Sequence, residues 1–316
     1  MSSEQVYVQP FLLQDELAVQ VVIQDSSAST AQFGLIGALV GSAIDSAINN
    51  SRAKQAERKA EVLREATSSY RLVVNYRETV DVESSGSGWS VISTGEVSAD
   101  TDTRDTVEKI LEDSNVTAVA VLSGNYQLVP TLDQVSVSIT QDIYRRPDKS
   151  STRLRPDTTK VFQYLSPRHP VDYRSFVAGE KELLKTSITT QYEQAIATQP
   201  DEEKTLRKAL EEELDELDES ETVPDDVAIA ETWNGDLLIK YLEQSKQHLR
   251  FMVEYDWNER VVPETDKESL QEYFVVNDFG VNAKVKGRYI GMLDSNTIYR
   301  AQYGAIHSVP SAAPEQ

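Results

Sequence analysis

Three glycines and an alanine recur at helical spacing in the apolar segment 33–44, and this pattern limits the possible folds more than any other. The small residues are Gly34, Gly37, Ala38 and Gly41. A glycine inside a helix costs about 1 kcal/mol relative to alanine. Such a cost is compensated where another backbone approaches closely, as small-xxx-small pairs permit. We therefore expect a helix over residues 30–66 whose bare side contacts a neighbouring element.

The sequence leaves several alternatives for the element that contacts this small-residue face. A sheet or helix of the same chain is the simplest candidate, and a membrane or a second copy of the chain are the alternatives. As a helix, segment 33–44 would be about 18 Å long, which is short of the roughly 30 Å hydrocarbon core. No run of about 18 apolar residues occurs, so we expect no membrane-spanning helix.

The first half of the chain predicts a mixed α/β module over residues 5–145. The expected elements are strands at 6–10, 17–24 and 89–93, a helix near 105–111, and an antiparallel pair at 117–128 and 134–144. In the last strand Val135, Val137 and Ile139 alternate with hydroxyl residues, which is typical of a strand with one solvated face. Residues 70–83 fit a helix or a strand.

The second half predicts four regions. They are a linker over 146–174, a helical segment over 175–250, an antiparallel β region over 251–310 and a disordered tail over 311–316. The β region begins with Phe251, Val253, Tyr255 and Trp257 in alternation with polar residues and Met252. We expect the basic residues of the linker to dock onto the acidic remainder, or to form a weak site for an anionic partner. These elements together indicate an α+β fold.

Charge is concentrated in one part of the helical segment. Ten acidic and no basic side chains occur between Glu211 and Asp226. A solvated helix face that frays into a loop at Pro224 explains this run, and cation binding or a basic partner is the alternative. The whole chain has 31 basic and 52 acidic residues, a formal net charge of −21. Coulomb repulsion therefore opposes binding to nucleic acid or an anionic membrane.

The absence of cysteine limits both chemistry and location. It excludes thiol nucleophiles, iron–sulfur clusters, cysteine-based zinc sites and disulfides. A long chain without cysteine suits an oxidising compartment. The first predicted strand begins at Val6, as though a leader with a lipid-anchoring cysteine had been removed. We expect a periplasmic or outer-membrane-anchored protein, with the cytoplasm as the alternative.

Catalytic motifs are absent from the sequence. It has no Gly-x-Ser-x-Gly elbow, no phosphate-binding loop and no dinucleotide fingerprint. None of the three histidines, His169, His248 and His307, has another histidine at i+3 or i+4. His248 is expected at the end of a helix, where a cation favours the helix dipole. We expect no catalytic residue, no cofactor and no metal, and a surface or core position for each histidine.

Four pieces of the first half follow a known order. A strand ending in proline, Val6–Pro10, precedes a Gly-aromatic-x-Val strand at Gly88–Val91, a short helix at 105–111 and a hairpin over 120–144. This order resembles the α/β module of bacterial envelope proteins, as in the amino-terminal domain of TolB and the curli-pore lipoprotein family. The resemblance implies a fold, with residues 70–83 as its second helix. It implies no site residue.

These features favour a non-catalytic cell-envelope protein that binds or scaffolds a protein partner. One alternative is a hydrolase whose carboxylate or serine site no motif marks. Another is self-assembly through the face formed by Gly34, Gly37 and Gly41.

Overall fold

The computed structural model describes residues 4–12, 17–19, 61–81, 89–98, 103–129, 131–146, 154–198, 200, 203–258, 270–276 and 282–311. Segment 33–44, with Gly34, Gly37, Ala38 and Gly41, lies outside these ranges. Of the helix predicted over 30–66, only residues 61–66 fall within them, and these are helical. The α+β fold class is confirmed by the elements that follow.

The strands are β1 (Glu4–Leu12), β2 (Ala18–Val19), β3 (Trp89–Thr94), β4 (Ala118–Leu128), β5 (Val135–Arg145), β6 (Thr158–Leu165), β7 (Leu270–Val276), β8 (Asn282–Leu293), β9 (Asn296–Ala301) and β10 (Ile306–Pro310). Besides the helical residues 61–66, the helices in the described ranges are α1 (Leu72–Val80), α2 (Thr103–Glu112), α3 (Glu180–Thr198), α4 (Glu203–Glu219), α5 (Asp225–Thr232) and α6 (Gly235–Asn258). No helix in the described ranges has the length and apolarity needed to cross a bilayer.

The chain divides into two compact units that differ from the predicted regions. One unit combines residues 1–169 with 233–316, and the other comprises residues 170–232. In the first unit the strands form one mixed sheet in the order β3-β1-β4-β5-β6-β10-β9-β8-β7, and β2 pairs with the end of β4. The predicted linker, 146–174, contains strand β6 of this sheet. Val161, Phe162, Tyr164 and Leu165 supply its apolar residues between polar flanks.

Strand β6 joins the two halves of the sheet. It pairs antiparallel with β5 and parallel with β10. The predicted antiparallel pair is confirmed as β4 and β5, whose register joins Ala118 to Arg145 and Leu128 to Val135. Within the predicted β region 251–310, residues 282–293 form one long strand, β8. A two-residue turn connects it to β9, and Asp294 there has a left-handed backbone (φ 51°), which aspartate tolerates.

Helices cover both faces of the sheet. Helix α2 packs Val107 and Leu111 against Phe11, Val119 and Val121 on one face. Helices α1 and α6 lie on the other face, where they contact each other and β1, β5 and β6. The ionic contact of Lys246 with Glu78 (2.9 Å) links these two helices.

The predicted strand at 251–257 is wrong, because these residues are the last two turns of α6. The apolar residues alternate in the sequence, but burial follows helical spacing: Leu249, Met252, Val253, Asp256 and Trp257 are buried, and Phe251 is exposed. This spacing continues the stripe that begins at Leu238. A short alternating segment fits both the two-residue period of a strand and the 3.6-residue period of a helix. Here the contact of the preceding helix with the sheet favours continuation of the helix.

A buried ion pair fixes the end of α6 on the sheet. The Asp256 carboxylate accepts hydrogen bonds from Lys160 Nζ on β6 at 2.7 and 2.9 Å and from Arg300 on β9 at 2.5 Å. The adjacent Trp257 Nε1 donates to Gln141 on β5. These bonds satisfy a carboxylate that would otherwise be costly to bury.

The ambiguous segment 70–83 contains helix α1. Its buried residues, Leu72, Tyr76, Thr79 and Val80, recur at helical spacing. Tyr76 donates its hydroxyl hydrogen to the carbonyl oxygen of Leu122 on β4, at 2.6 Å. The ring lies over Gly124, where a Cβ atom would be 2.5 Å from Tyr76 Cε2. Glycine at this position therefore lets the helix approach the sheet.

Arg145 and the first residue of the predicted linker, Arg146, have local partners. Arg145 forms hydrogen bonds with Glu4 at 2.7 and 3.0 Å and with Asp157 at 2.8 Å. Arg146 donates to the main-chain carbonyl groups of Leu111 and Asp113 at the carboxyl end of α2. A cation at that end of a helix is favourable.

The second unit is helical. Helices α3 and α4 contact each other, Ile196, Leu206 and Leu217 on them are buried, and Lys185 contacts Asp218 at 2.5 Å between them. Most acidic side chains of the run from Glu211 to Asp226 are exposed or half-buried.

Arg174 links two helices of this unit. It contacts Glu180 of α3 at 2.7 Å and Glu231 of α5 at 2.5 Å. Hydrogen bonding to the Arg174 guanidinium, helped by the Val177 N–H, lowers the pKa of Glu180 to about 2.

We expect Gly124→Ala to reduce the free energy of unfolding by about 1–3 kcal/mol, because the added methyl group displaces the Tyr76 ring. Gly291→Ala is the matched control, since a Cβ atom there has no neighbour within 4 Å. Urea denaturation measures both variants. Equal unfolding midpoints would contradict the close approach of α1 to β4.

Candidate functional site

The three histidines occupy core or half-buried positions in the first unit. His248 lies in the middle of α6 and is buried, so its predicted position at a helix end is wrong. Burial lowers its pKa below the ordinary value, although the nearby Asp294 partly opposes this effect. His307 lies on β10, and half-buried His169 contacts Tyr241 Oη at 2.5 Å. Neutral imidazoles are expected at each position at pH 7.

A serine, a histidine and an aspartate form a hydrogen-bonded chain on the α6 side of the sheet. Ser308 Oγ on β10 lies 2.8 Å from His248 Nδ1, and His248 Nε2 lies 3.3 Å from Asp294 Oδ2. Asn296 Nδ2 donates to Ser308 Oγ at 3.1 Å. A consistent assignment has Ser308 donating to Nδ1 and the Nε2 hydrogen pointing at the carboxylate.

The Ser308 hydroxyl in this hydrogen-bonded arrangement lacks the access to substrate that a nucleophile requires. Ser308 is 0% exposed and His248 1% exposed, so no substrate carbonyl can reach the hydroxyl in this conformation. Strand β10 has a neighbour on each side, so the sheet uses the backbone N–H groups that could otherwise stabilise an oxyanion. The arrangement is suited to holding α6 on the sheet.

The opposite face of the same strands carries a continuous set of aromatic rings, here called the tyrosine array. Its members are Tyr289, Tyr299, Tyr273, His307 and Tyr303, in order of contact. The successive ring centroids are 6.4, 4.4, 5.7 and 6.0 Å apart. The Tyr273 and Tyr299 rings are nearly parallel, with an interplanar angle of 8°.

Curvature of the sheet brings the array together. Strands β9 and β8 separate β10 from β7 in the strand order, yet Tyr273 Oη on β7 lies 2.8 Å from His307 Nδ1 on β10. An irregularity in β8 between Tyr289 and Gly291 accompanies this curvature. Val129, Leu165, Val275 and Val309 form an apolar cluster with Tyr273, and Tyr299 packs against it.

The array has a buried centre and exposed ends. Tyr273 and His307 are buried, whereas Tyr289 is 46% exposed and Tyr303 67% exposed. Burial lowers the pKa of His307 to about 4 and raises that of Tyr273, so both groups are neutral at pH 7. Beside Tyr289, on the same face, Met292 is 60% exposed. Exposed aromatic and methionine side chains are typical of interaction surfaces.

The small-residue face predicted from the sequence shares no residue with either cluster found in the structure. Gly34, Gly37, Ala38 and Gly41 lie outside the described residues. Among the residues with described positions, no three His, Asp or Glu side chains are grouped as a metal would require. The array was missed, although four of the chain's 14 tyrosines lie between residues 273 and 303. That local enrichment was the available signal.

Comparisons with known proteins gave no match. No family model, curated protein or solved structure is similar to the chain. A functional site is therefore inferred from geometry.

We expect Ser308→Ala to reduce the free energy of unfolding by about 1–3 kcal/mol, because His248 Nδ1 and Asn296 Nδ2 each lose a buried partner. Thermal or urea unfolding measures this loss. Asp294→Asn is the control and should cost less, because that side chain is partly solvated. Labelling of Ser308 by a fluorophosphonate probe in the folded protein would contradict its inaccessibility.

Proposed function

We propose that this protein is a non-catalytic binding or scaffolding protein of the bacterial cell envelope, and that it binds a protein partner through the exposed ends of the tyrosine array. The observation that carries the proposal is the combination of three large exposed side chains, Tyr289 and Met292 on one face of β8 and Tyr303 in the turn between β9 and β10. Tyrosine supplies contact area at a low cost in conformational entropy and is enriched in the centres of interfaces.

The rigidity of the array supports this role. Tyr289 packs against Tyr299, which stacks on buried Tyr273, so the exposed Tyr289 ring rests on the core. A preorganised surface loses less entropy when it binds. The inaccessible Ser308 is consistent with a role other than hydrolysis.

The cell-envelope part of the proposal rests on the sequence. Its support is the absence of cysteine and the resemblance of residues 6–144 to envelope modules. Fractionation of the native producer tests it. Recovery in the periplasmic or outer-membrane fraction is expected, and recovery only in the cytosol would refute the location.

Site-specific photo-crosslinking tests the proposed surface. A benzophenone side chain placed at Met292 in the native producer should form a discrete adduct, which Tyr289→Ser should reduce at least tenfold. Phe274 is the matched control position, because it has the same 60% exposure but lies on the opposite sheet face, next to Tyr273 on β7. Equal adducts from both positions, or none from position 292, would contradict the proposal.

A further inference from the structure

Two buried histidines of the first unit connect strand β10 to other elements, one on each face of the sheet. Ser308 contacts His248 of α6 on one face, and the preceding residue, His307, contacts Tyr273 of β7 on the other. The first contact holds the helix, and the second holds the edge strand of the curved sheet. Because the two imidazoles lie on different faces, the pKa of each depends on its own neighbouring groups.

The surroundings of His307 favour only its neutral form. Tyr273 Oη lies 2.8 Å from Nδ1 and Tyr303 Oη 3.4 Å from Nε2, and Tyr299 stacks on Tyr273. Apolar Leu165 and Val309 belong to the cluster that Tyr273 joins. Burial is the one identified cause of the lowered pKa, so no carboxylate among the described residues offsets it. His248 differs, because Asp294 stabilises its charged form.

Protonation would therefore change the contact between β7 and β10. A neutral imidazole can accept the Tyr273 hydroxyl hydrogen at Nδ1 and donate from Nε2 toward Tyr303. An imidazolium donates from both nitrogens, so the Tyr273 hydroxyl must become an acceptor. The charge would also be held in an apolar cluster, which is unfavourable unless water enters.

We propose that acidification opens the tyrosine array by protonating His307, which releases the edge strand β7 from β10 and from β8 and regulates the binding surface. The regulatory part of this inference rests on the proposed function, whereas the opening itself can occur without a partner. Strand β7 ends the strand order, so a local opening there leaves the pairing of β4 with β5 in place.

The expected size of the effect follows from proton linkage. If the ordinary pKa of 6.5 applies in the open state and a pKa of about 4 in the closed state, the opening equilibrium increases about 70-fold between pH 7.5 and pH 4.5. The sign is fixed because the open state binds the proton more tightly. The contact is fully formed above pH 6.5 and weakens as the pH falls toward 4.

Hydrogen–deuterium exchange of the full chain tests the opening. After correction for intrinsic exchange rates, protection of residues 270–276 should fall about 70-fold between pH 7.5 and 4.5, while that of residues 118–128 changes much less. His307→Gln should remove this dependence. His248→Gln is the matched control and should retain it, because His248 contacts the opposite face.

Three outcomes would overturn the inference. They are equal loss of protection in both segments, unchanged protection of β7, and an unchanged pH dependence in His307→Gln. If His307→Gln weakens folding, His307→Phe provides a second neutral variant, and near-ultraviolet circular dichroism at pH 7.5 checks its aromatic packing. Failure of this test leaves the crosslinking result at Met292 unaffected, so the two proposals can fail separately.

Discussion

The parallel pairing of β6 with β10 is the constraint on which the first unit depends. It joins Phe162 to Ile306 across 144 residues of sequence (306 − 162) and merges two groups of strands into one sheet. Asp256 strengthens the same junction, because it binds Lys160 on β6 and Arg300 on β9. Both the serine–histidine chain and the tyrosine array lie on strand β10 beside this junction. Their geometry therefore follows from a long-range contact.

Elements of the first half that depend on local sequence patterns were predictable, whereas elements that depend on pairing with distant residues were not. Val135, Val137 and Ile139 gave the correct antiparallel strand, because alternation along a strand needs no knowledge of distant partners. Strand β6 was hidden by its polar flanks, and only pairing with β5 and β10 makes its short apolar run a strand. The end of α6 was misassigned for a related reason, since residues 251–257 fit both periods until Asp256 and Trp257 meet the sheet.

The candidate site depends even more on tertiary structure. Nothing in the spacing of Tyr273 and His307 indicates that the two side chains touch, because their contact requires the sheet to curve across two intervening strands. The same holds for Ser308, His248 and Asp294, which the sequence separates by up to 60 residues. The sequence showed that the chain has no catalytic motifs. It could not place the side chains that come together.

The position of β10 also has a consequence for biosynthesis. Until residues 306–310 have left the ribosome, β6 has only β5 as a neighbour, and its other edge, with buried Phe162 and Tyr164, is available to wrong partners. Contacts so distant in sequence form slowly. While residues 166–305 are being synthesised, the nascent chain therefore carries an unpaired strand edge, and a holding chaperone that covers this edge would raise the yield of folded protein.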